Sequence, residues 1–316
     1  MKYYADDVNL HARIYAMKSR LLTLRDYTSI VREKQGFCRE VCDFQNTVEV
    51  KETVFKEQIR DVVKLAGATR IYTRLFLAFL RRFEALNVKL ILSRAFNRPV
   101  LEQWYDIGPH ALFDRGLIKE KLTADDIRTI LANTYLEEIF DDISSYERLE
   151  IRIDVCTARN LYDSSDSFHP EAKKDFQDLI LKTVAVTGLI RQWRLKESYR
   201  WSDEKIRDHL EMIHGLFDSS PGRHSKMVEE ILNNRIAQAR KSAAKAPEAA
   251  DIEYYLEQYF YNWISSVFHK NFHSIYCVAA YLWLLNCQIK NLFRIVDALR
   301  FGLPPEKIIE RIVCEV

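Results

Sequence analysis

Leu285-Asn286-Cys287-Gln288-Ile289-Lys290-Asn291-Leu292-Phe293-Arg294-Ile295-Val296-Asp297-Ala298-Leu299-Arg300-Phe301-Gly302 reads as one helix with a defined stop. Leu285, Ile289, Leu292, Val296 and Leu299 recur at spacings of 4, 3, 4 and 3, the period of one apolar helix face. Arg300 suits the negative end of the helix dipole, and Gly302, just past the last turn, supplies the left-handed backbone that closes a helix. Leu303-Pro304-Pro305-Glu306-Lys307-Ile308 then opens a further helix carrying Ile309, Ile312 and Val313. Proline costs no hydrogen bond there, because the N–H groups of a first turn have no helical partner.

The same grammar recurs toward the N-terminus. From Arg60 to Phe96 the pattern predicts one long helix, with Ile71, Leu75, Phe79, Phe83, Leu86 and Leu90 on its apolar face and Pro99 ending it. Arg70, Arg74 and Arg81 fall off that face. A second long helix is expected from Lys173 to Lys196, followed by a start capped by Ser202. Thr23-Leu24-Arg25-Asp26 and Thr123-Ala124-Asp125-Asp126 each place an N-cap threonine three residues before an acid. In such a pair each side chain satisfies a backbone N–H that the helix leaves open.

The two threonine caps are 100 residues apart, and Trp201-Ser202-Asp203-Glu204-Lys205-Ile206 aligns with Leu303-Pro304-Pro305-Glu306-Lys307-Ile308 at an offset of 102. These offsets predict three similar helical units over residues 1–108, 109–217 and 218–316. Loops are expected at Asp163–Ser167, Asp218–Gly222 and the Ala-rich stretch Lys241–Ala250.

Composition agrees with an all-α chain. Eight glycines and seven prolines make up about 5% of the 316 residues, against an average near 12%. The sequence contains no G-x-G and no G-K-[ST], which argues against the glycine-rich phosphate-binding folds. A net charge of +2 argues against a dedicated nucleic-acid binder. The polar start Met1-Lys2-Tyr3-Tyr4-Ala5-Asp6 does not resemble a signal peptide. The longest apolar run, Ile275–Leu285, has eleven residues, short of the roughly 18 that span a bilayer. Cys38, Cys42, Cys156, Cys277, Cys287 and Cys314 form no C-x-x-C and read as reduced, mostly buried thiols of a cytoplasmic protein.

Few residues suggest chemistry. His269 and His273 share a helix face, but Lys270 stands where a zinc protease needs glutamate. Asp141-Asp142 and Asp125-Asp126 lack the third acid that a magnesium-diphosphate site of the D-D-x-x-D type needs. The plain reading of the histidines is an interfacial or half-buried pair in an aromatic-rich helix, and that of the acids is a helix N-terminus with a solvated acidic face. Tyr254, Tyr255, Tyr259, Tyr261 and Trp263 crowd one stretch, as core packing or as an aromatic contact surface.

Gln288–Val296 followed by Gly302-Leu303-Pro304-Pro305-Glu306-Lys307-Ile308 resembles the C-terminal signature of one family of V-type and A-type ATPase subunits, lettered C in the A-type and d in the eukaryotic enzymes. That signature is an E-x-x-N-L-like helix, then G-L-[SP]-P-E-x-I. Ala12–Thr23 followed by Asp26-Tyr27 is similar to the family's opening helix pair. Gln288 replaces the common glutamate, and Gly188-Leu189 stands for Asn-Leu in the second unit. The resemblance implies three helical domains in a pseudo-threefold funnel, without a catalytic site or cofactor. It implies a rotor socket on the cytoplasmic face, peripheral to the membrane, between the central-stalk subunits and the proteolipid ring. Arg191, Arg194, Arg294 and Arg300 lie in corresponding helices of the second and third units. They are the candidate partner-binding positions, with ordinary exposed arginine as the plain alternative. The rival readings are a helical scaffold unrelated to rotary ATPases and an all-α enzyme using Asp141 and Asp142 with magnesium.

Overall fold

A computed structural model describes residues 3–33, 47–98, 103–119, 122–141, 146–197, 200–206, 230, 233–234, 249–270 and 274–315. The chain is all-α, as its composition predicts, and the described residues contain no strand. The helices are α1 (Tyr3–Lys18), α2 (Leu24–Glu33), α3 (Thr47–Ala68), α4 (Thr73–Ala95), α5 (Ala124–Leu131), α6 (Tyr146–Asp163), α7 (Pro170–Glu197), α8 (Ala249–Lys270), α9 (Ile275–Arg300) and α10 (Pro305–Ile309). Packing separates two compact units, one of Met1–Ile127 with Tyr261–Val316 and one of Arg128–Phe260.

In the first unit α3 packs against both α4 and α9, α1 lies on α9, and α2 meets α10. Lys51 of α3 reaches Asp297 of α9, and seven residues further on Gln58 meets Gln288, so α3 and α9 run antiparallel. The apolar run at the start of α9 is buried almost throughout, because neighbours cover it on several sides. Phe55, Phe79, Phe83 and Tyr105 form an edge-to-face cluster, with ring centroids 4.8 Å apart for Phe55–Phe83 and 5.0 Å for Phe55–Tyr105. Phe55 and Phe83 are thereby held in the geometry that aromatic quadrupoles favour.

The long helix expected over Arg60–Phe96 is in fact two. Between Ala68 and Thr73 the chain turns. The Thr69 hydroxyl donates to the Leu65 carbonyl at 3.1 Å, capping the end of α3, and the Phe76 N–H bonds the Tyr72 carbonyl at 3.0 Å as α4 begins. Ile71 falls in the turn, and Leu86, assigned to the apolar face, is 38% exposed. α10 also stops early, at Ile309, and Ile312 and Val313 are buried in the segment that follows it.

The ends of α4 and α9 are alike. Asn97 and Gly302 adopt positive φ, at 52° and 66°. Arg98 N–H bonds Ser93 O at 2.8 Å and Asn97 N–H bonds Arg94 O at 3.0 Å, while Leu303 and Gly302 bond Ala298 and Leu299 in the same pattern at 3.0 Å each. Both are Schellman stops, which satisfy carbonyls that the helix would leave open. Both follow the sequence Phe-[Asn/Gly]-x-Pro, at Phe96–Pro99 and Phe301–Pro304.

The second unit is built on α6 and α7, which pack on each other, and α6 also covers the 3₁₀ turn Glu137–Asp141. The predicted loop after Asp163 is present, with Ser164 and Ser165 hydroxyls donating back to Leu161 and Tyr162 carbonyls. Pro170 takes the first position of α7. Ser202 caps the following turn, its hydroxyl accepting the Lys205 N–H at 3.3 Å. Ile252 and Leu256 of α8 pack with Ile190 and Trp193 of α7. The loops expected at 218–222 and across most of 241–250 lie outside the described residues.

Candidate functional site

Gln288 and Asn291, the polar residues of the C-terminal signature, point into the first unit rather than out of it. Gln288 Oε1 accepts the Leu22 N–H at 2.6 Å, and its Nε2 donates to Gln58. Asn291 is 1% exposed. Its Nδ2 donates to the Val313 carbonyl at 2.8 Å and its Oδ1 accepts the Val313 N–H at 3.1 Å. The Tyr27 hydroxyl accepts from the same Nδ2 at 3.4 Å. One helix therefore fastens both the α1–α2 turn and the C-terminal segment. Every backbone bond of this kind answers a group that is costly to bury unpaired.

α4 repeats this device. Asn87, 2% exposed, donates to the Tyr105 carbonyl at 2.9 Å and accepts the Tyr105 N–H at 2.8 Å. One turn earlier, Glu84 Oε1 accepts the Leu112 N–H, and the Phe113 N–H at 3.3 Å. Glu84 is 1% exposed and its Oε2 has no hydrogen-bond partner among the described residues. Burial pushes its carboxyl up to about 7, against the pull of the two N–H groups and of Arg81. Glu84-Ala85-Leu86-Asn87-Val88 thus matches Gln288-Ile289-Lys290-Asn291-Leu292 in residue type, spacing and hydrogen-bond role, 204 residues apart. Sequence reading by hydropathy missed it, because Glu84 and Asn87 sit inside an otherwise apolar pattern. The E-x-x-N-[LV] spacing was the signal that would have found it.

The four arginines lie in separate settings. Arg191 pairs with Asp154, and Arg194 Nε donates to Glu253 at 2.8 Å, both within the second unit. In the first unit Arg294 donates to Asn291 Oδ1 at 3.4 Å, and Arg300 to Thr47 Oγ1 at 3.2 Å. Arg191 and Arg294 are half-buried, whereas Arg194 and Arg300 keep much of their surface in solvent. Beyond Arg300, Phe301 is 75% exposed and Leu303 is also exposed, an apolar step at the end of α9.

The remaining chemical candidates are dispersed. Cys156, Cys277 and Cys314 are buried and Cys287 is half-buried, while Cys38 and Cys42 lie outside the described residues. His269 is exposed and His273 is not described. Asp126 is the acid of a helix cap rather than half of a ligand pair. Asp141 ends a 3₁₀ turn, and Asp142 lies outside the described residues. Of the aromatic stretch, Tyr261 is buried and Tyr255 exposed. Among the described residues no three His, Cys, Asp or Glu side chains gather as metal ligands. No helix among them is long and apolar enough to cross a membrane.

A family model described as ATP synthase (C/AC39) subunit matches residues 43–311. No curated protein matches the chain.

Proposed function

Because the chain belongs to the ATP synthase (C/AC39) subunit family, we propose that it is the non-catalytic rotor socket of a V/A-type ATPase, seating the central-stalk subunits on the proteolipid ring. Family membership itself makes it an ATPase subunit; the socket role is the finer reading. The match over residues 43–311 is the observation that carries it.

The construction of the first unit supports the proposal. A part that passes torque must keep its loops from yielding, and here loops are held by buried side chains on long helices. Asn87 and Asn291 each grip a backbone residue by both of its polar groups. Gripping both groups fixes the position and the rotation of the peptide, which a single bond leaves free. Two E/Q-x-x-N-[LV] clamps 204 residues apart also support a three-unit plan over 1–108, 109–217 and 218–316. Ala185 and Gly188 occupy the intermediate positions, so the middle unit lacks the clamp side chains.

The partners are protein faces: the stalk on one side and the polar ends of the ring hairpins on the other. Arg191, Arg194, Arg294 and Arg300 are the proposed contact positions; Arg194 and Arg300 are exposed although each has an internal contact, and Arg191 and Arg294 are half-buried. No cofactor enters this role. The protein works at the cytoplasmic face of the membrane without spanning it.

Deleting the gene and assaying membrane vesicles tests the proposal. Loss of ATP-driven ion uptake is expected, with the catalytic sector released in a form that still hydrolyses ATP. Unchanged uptake in vesicles lacking the protein would overturn it.

A further inference from the structure

The segment that follows α4 is fastened at several points, and one of them can change its charge. Upstream, Asn87 grips Tyr105 by both backbone groups, and Glu52 of α3 accepts the Trp104 N–H at 2.8 Å. Downstream, Arg115 meets Glu52 at 2.8 and 3.0 Å. Between these anchors the His110 ring bonds the Val63 carbonyl of α3 at 3.0 Å. An imidazolium makes that bond as well as a neutral ring does, so acid does not break it. Residues 111–113 are held differently. Glu84 Oε1 accepts the Leu112 N–H, and the Phe113 N–H at 3.3 Å. Among the described residues no other side chain bonds the backbone of this stretch. The stretch is at the surface, with Leu112 43% exposed, and Gly108, at φ 64°, lies just before it as a hinge.

Glu84 is 1% exposed, so an ionised carboxyl there exchanges its hydration for two N–H bonds. Burial outweighs those bonds and the pull of Arg81, and raises the carboxyl to about 7 while the segment is closed. Charged groups on the elements packed around α4 are otherwise engaged. On α3, Glu52 meets Arg115, Lys51 meets Asp297 and Lys56 meets Asp106. In the segment, Asp114 accepts the Gly116 N–H, and on α4 itself Arg82 lies 5.1 Å from the Trp283 ring centroid. Swinging residues 111–113 outward admits water, and the carboxyl returns to its ordinary 4.5. Opening therefore releases a proton between those two values. It is favoured by about tenfold per pH unit as pH rises through that window and is level above it. We propose that Glu84 is a proton-operated latch, which keeps residues 111–113 closed in mild acid and lets them open, with the rest of the first unit folded, as the pH rises to neutral. Gln288, at the matching position of α9, has no charge to change, so the α1–α2 turn it holds lacks this response. The inference concerns the chain alone and is independent of the rotor reading.

Amide hydrogen exchange read by mass spectrometry tests this on the full chain and its Glu84→Gln variant, at pH 5, 6 and 7 and in sub-denaturing urea. Rates are divided by those of an unstructured peptide of the same sequence, which removes the intrinsic pH dependence of exchange. In the wild type, protection at Leu112 and Phe113 is expected to fall at least tenfold from pH 5 to pH 7, at rates that urea hardly changes, as for a local opening. Amides of α9 are expected to stay better protected and to respond to urea, because they exchange through larger unfolding. In Glu84→Gln the protection at Leu112 and Phe113 is expected to stay level with pH. The same pH trend in both proteins overturns the latch. Exchange of Leu112 and Phe113 only together with α9, at urea-sensitive rates, overturns it as well. Should the variant fail to fold, the Tyr105 amide of the wild type is the control, since Asn87 holds it without a titrating group. A level Tyr105 beside falling protection at Leu112 and Phe113 supports the latch, and parallel trends overturn it.

Discussion

Asn87 holds Tyr105 by both backbone groups, accepting its N–H at 2.8 Å and donating to its carbonyl at 2.9 Å. Asn291 holds Val313 in the same way, on a helix 204 residues later in the sequence. Both asparagines are buried, so their amides have no water to turn to. Replacing either by alanine strands two backbone groups at once. Each stranded group costs about 1–3 kcal/mol. Asn87→Ala and Asn291→Ala are each expected to lower the unfolding free energy by about 2–4 kcal/mol. Urea denaturation checks this, and a loss under about 0.5 kcal/mol would contradict the clamp.

Glu84 gives the clamp on α4 a pH dependence. Its folded carboxyl is raised to about 7 from an ordinary 4.5, with burial as the main cause. Between those values the folded state holds a proton that the unfolded state has released, so stability falls as pH rises from about 4.5 through about 7. Complete loss amounts to at most about 3 kcal/mol. Gln288, the counterpart on α9, is neutral and keeps the acceptor role. Glu84→Gln is therefore expected to flatten the decline and to melt above the wild type at pH 8. Melting temperatures across pH 5–8 decide it, and parallel curves for the two proteins would contradict the assignment.

The capping threonines predict a smaller effect. Thr23 N–H and its hydroxyl both donate to Asp26, at 2.8 and 2.7 Å, and Asp26 N–H returns a bond to the Thr23 hydroxyl at 3.3 Å. Thr123 and Asp126 repeat the arrangement at 2.8, 2.6 and 3.2 Å. Thr23→Ala is expected to cost about 1 kcal/mol at neutral pH. The Thr23 bonds hold the Asp26 carboxyl below its ordinary value. That contribution is present above the ordinary carboxylate pKa and fades as pH falls through the lowered one. The deficit of Thr23→Ala should thus shrink in acid, as denaturation at pH 7 and pH 3 can measure.

Lys51 and Asp297 are an unequal pair. The lysine is buried, lies 5.6 Å from the Phe293 ring centroid, and meets the half-exposed Asp297 at 2.6 Å. Removing Asp297 leaves a buried cation without its counter-charge, whereas replacing Lys51 by methionine removes the charge and keeps the packing. Asp297→Ala is expected to destabilise by about 1–3 kcal/mol, and Lys51→Met by clearly less. Chemical denaturation of both variants checks the order, and the reverse order would contradict it.

Much of this architecture was legible in the sequence. The helix over Leu285–Gly302, its Gly302 stop and both threonine caps depend on local hydrogen bonds and apolar period, which residue type and spacing encode directly. The break at Thr69–Tyr72 was not legible, since the turn contains neither glycine nor proline and its reason is the packing of α3 on α4. Glu84 and Asn87 were hidden for a related cause. A buried polar residue looks misplaced until the loop backbone it serves, some 18 to 29 residues away, is in position. The arginines show the same limit. That Asp154 and Glu253 meet Arg191 and Arg194 is decided by how α6, α7 and α8 pack, and no spacing in the chain announces it.

Capture of the tagged chain from gently solubilised membranes of its host, with quantitative mass spectrometry of the recovered complex, tests the central claim most directly. The rotor-socket account predicts that central-stalk subunits and the ring proteolipid are recovered with it at a fixed stoichiometry. Recovery of the chain alone, from the soluble fraction, would contradict it.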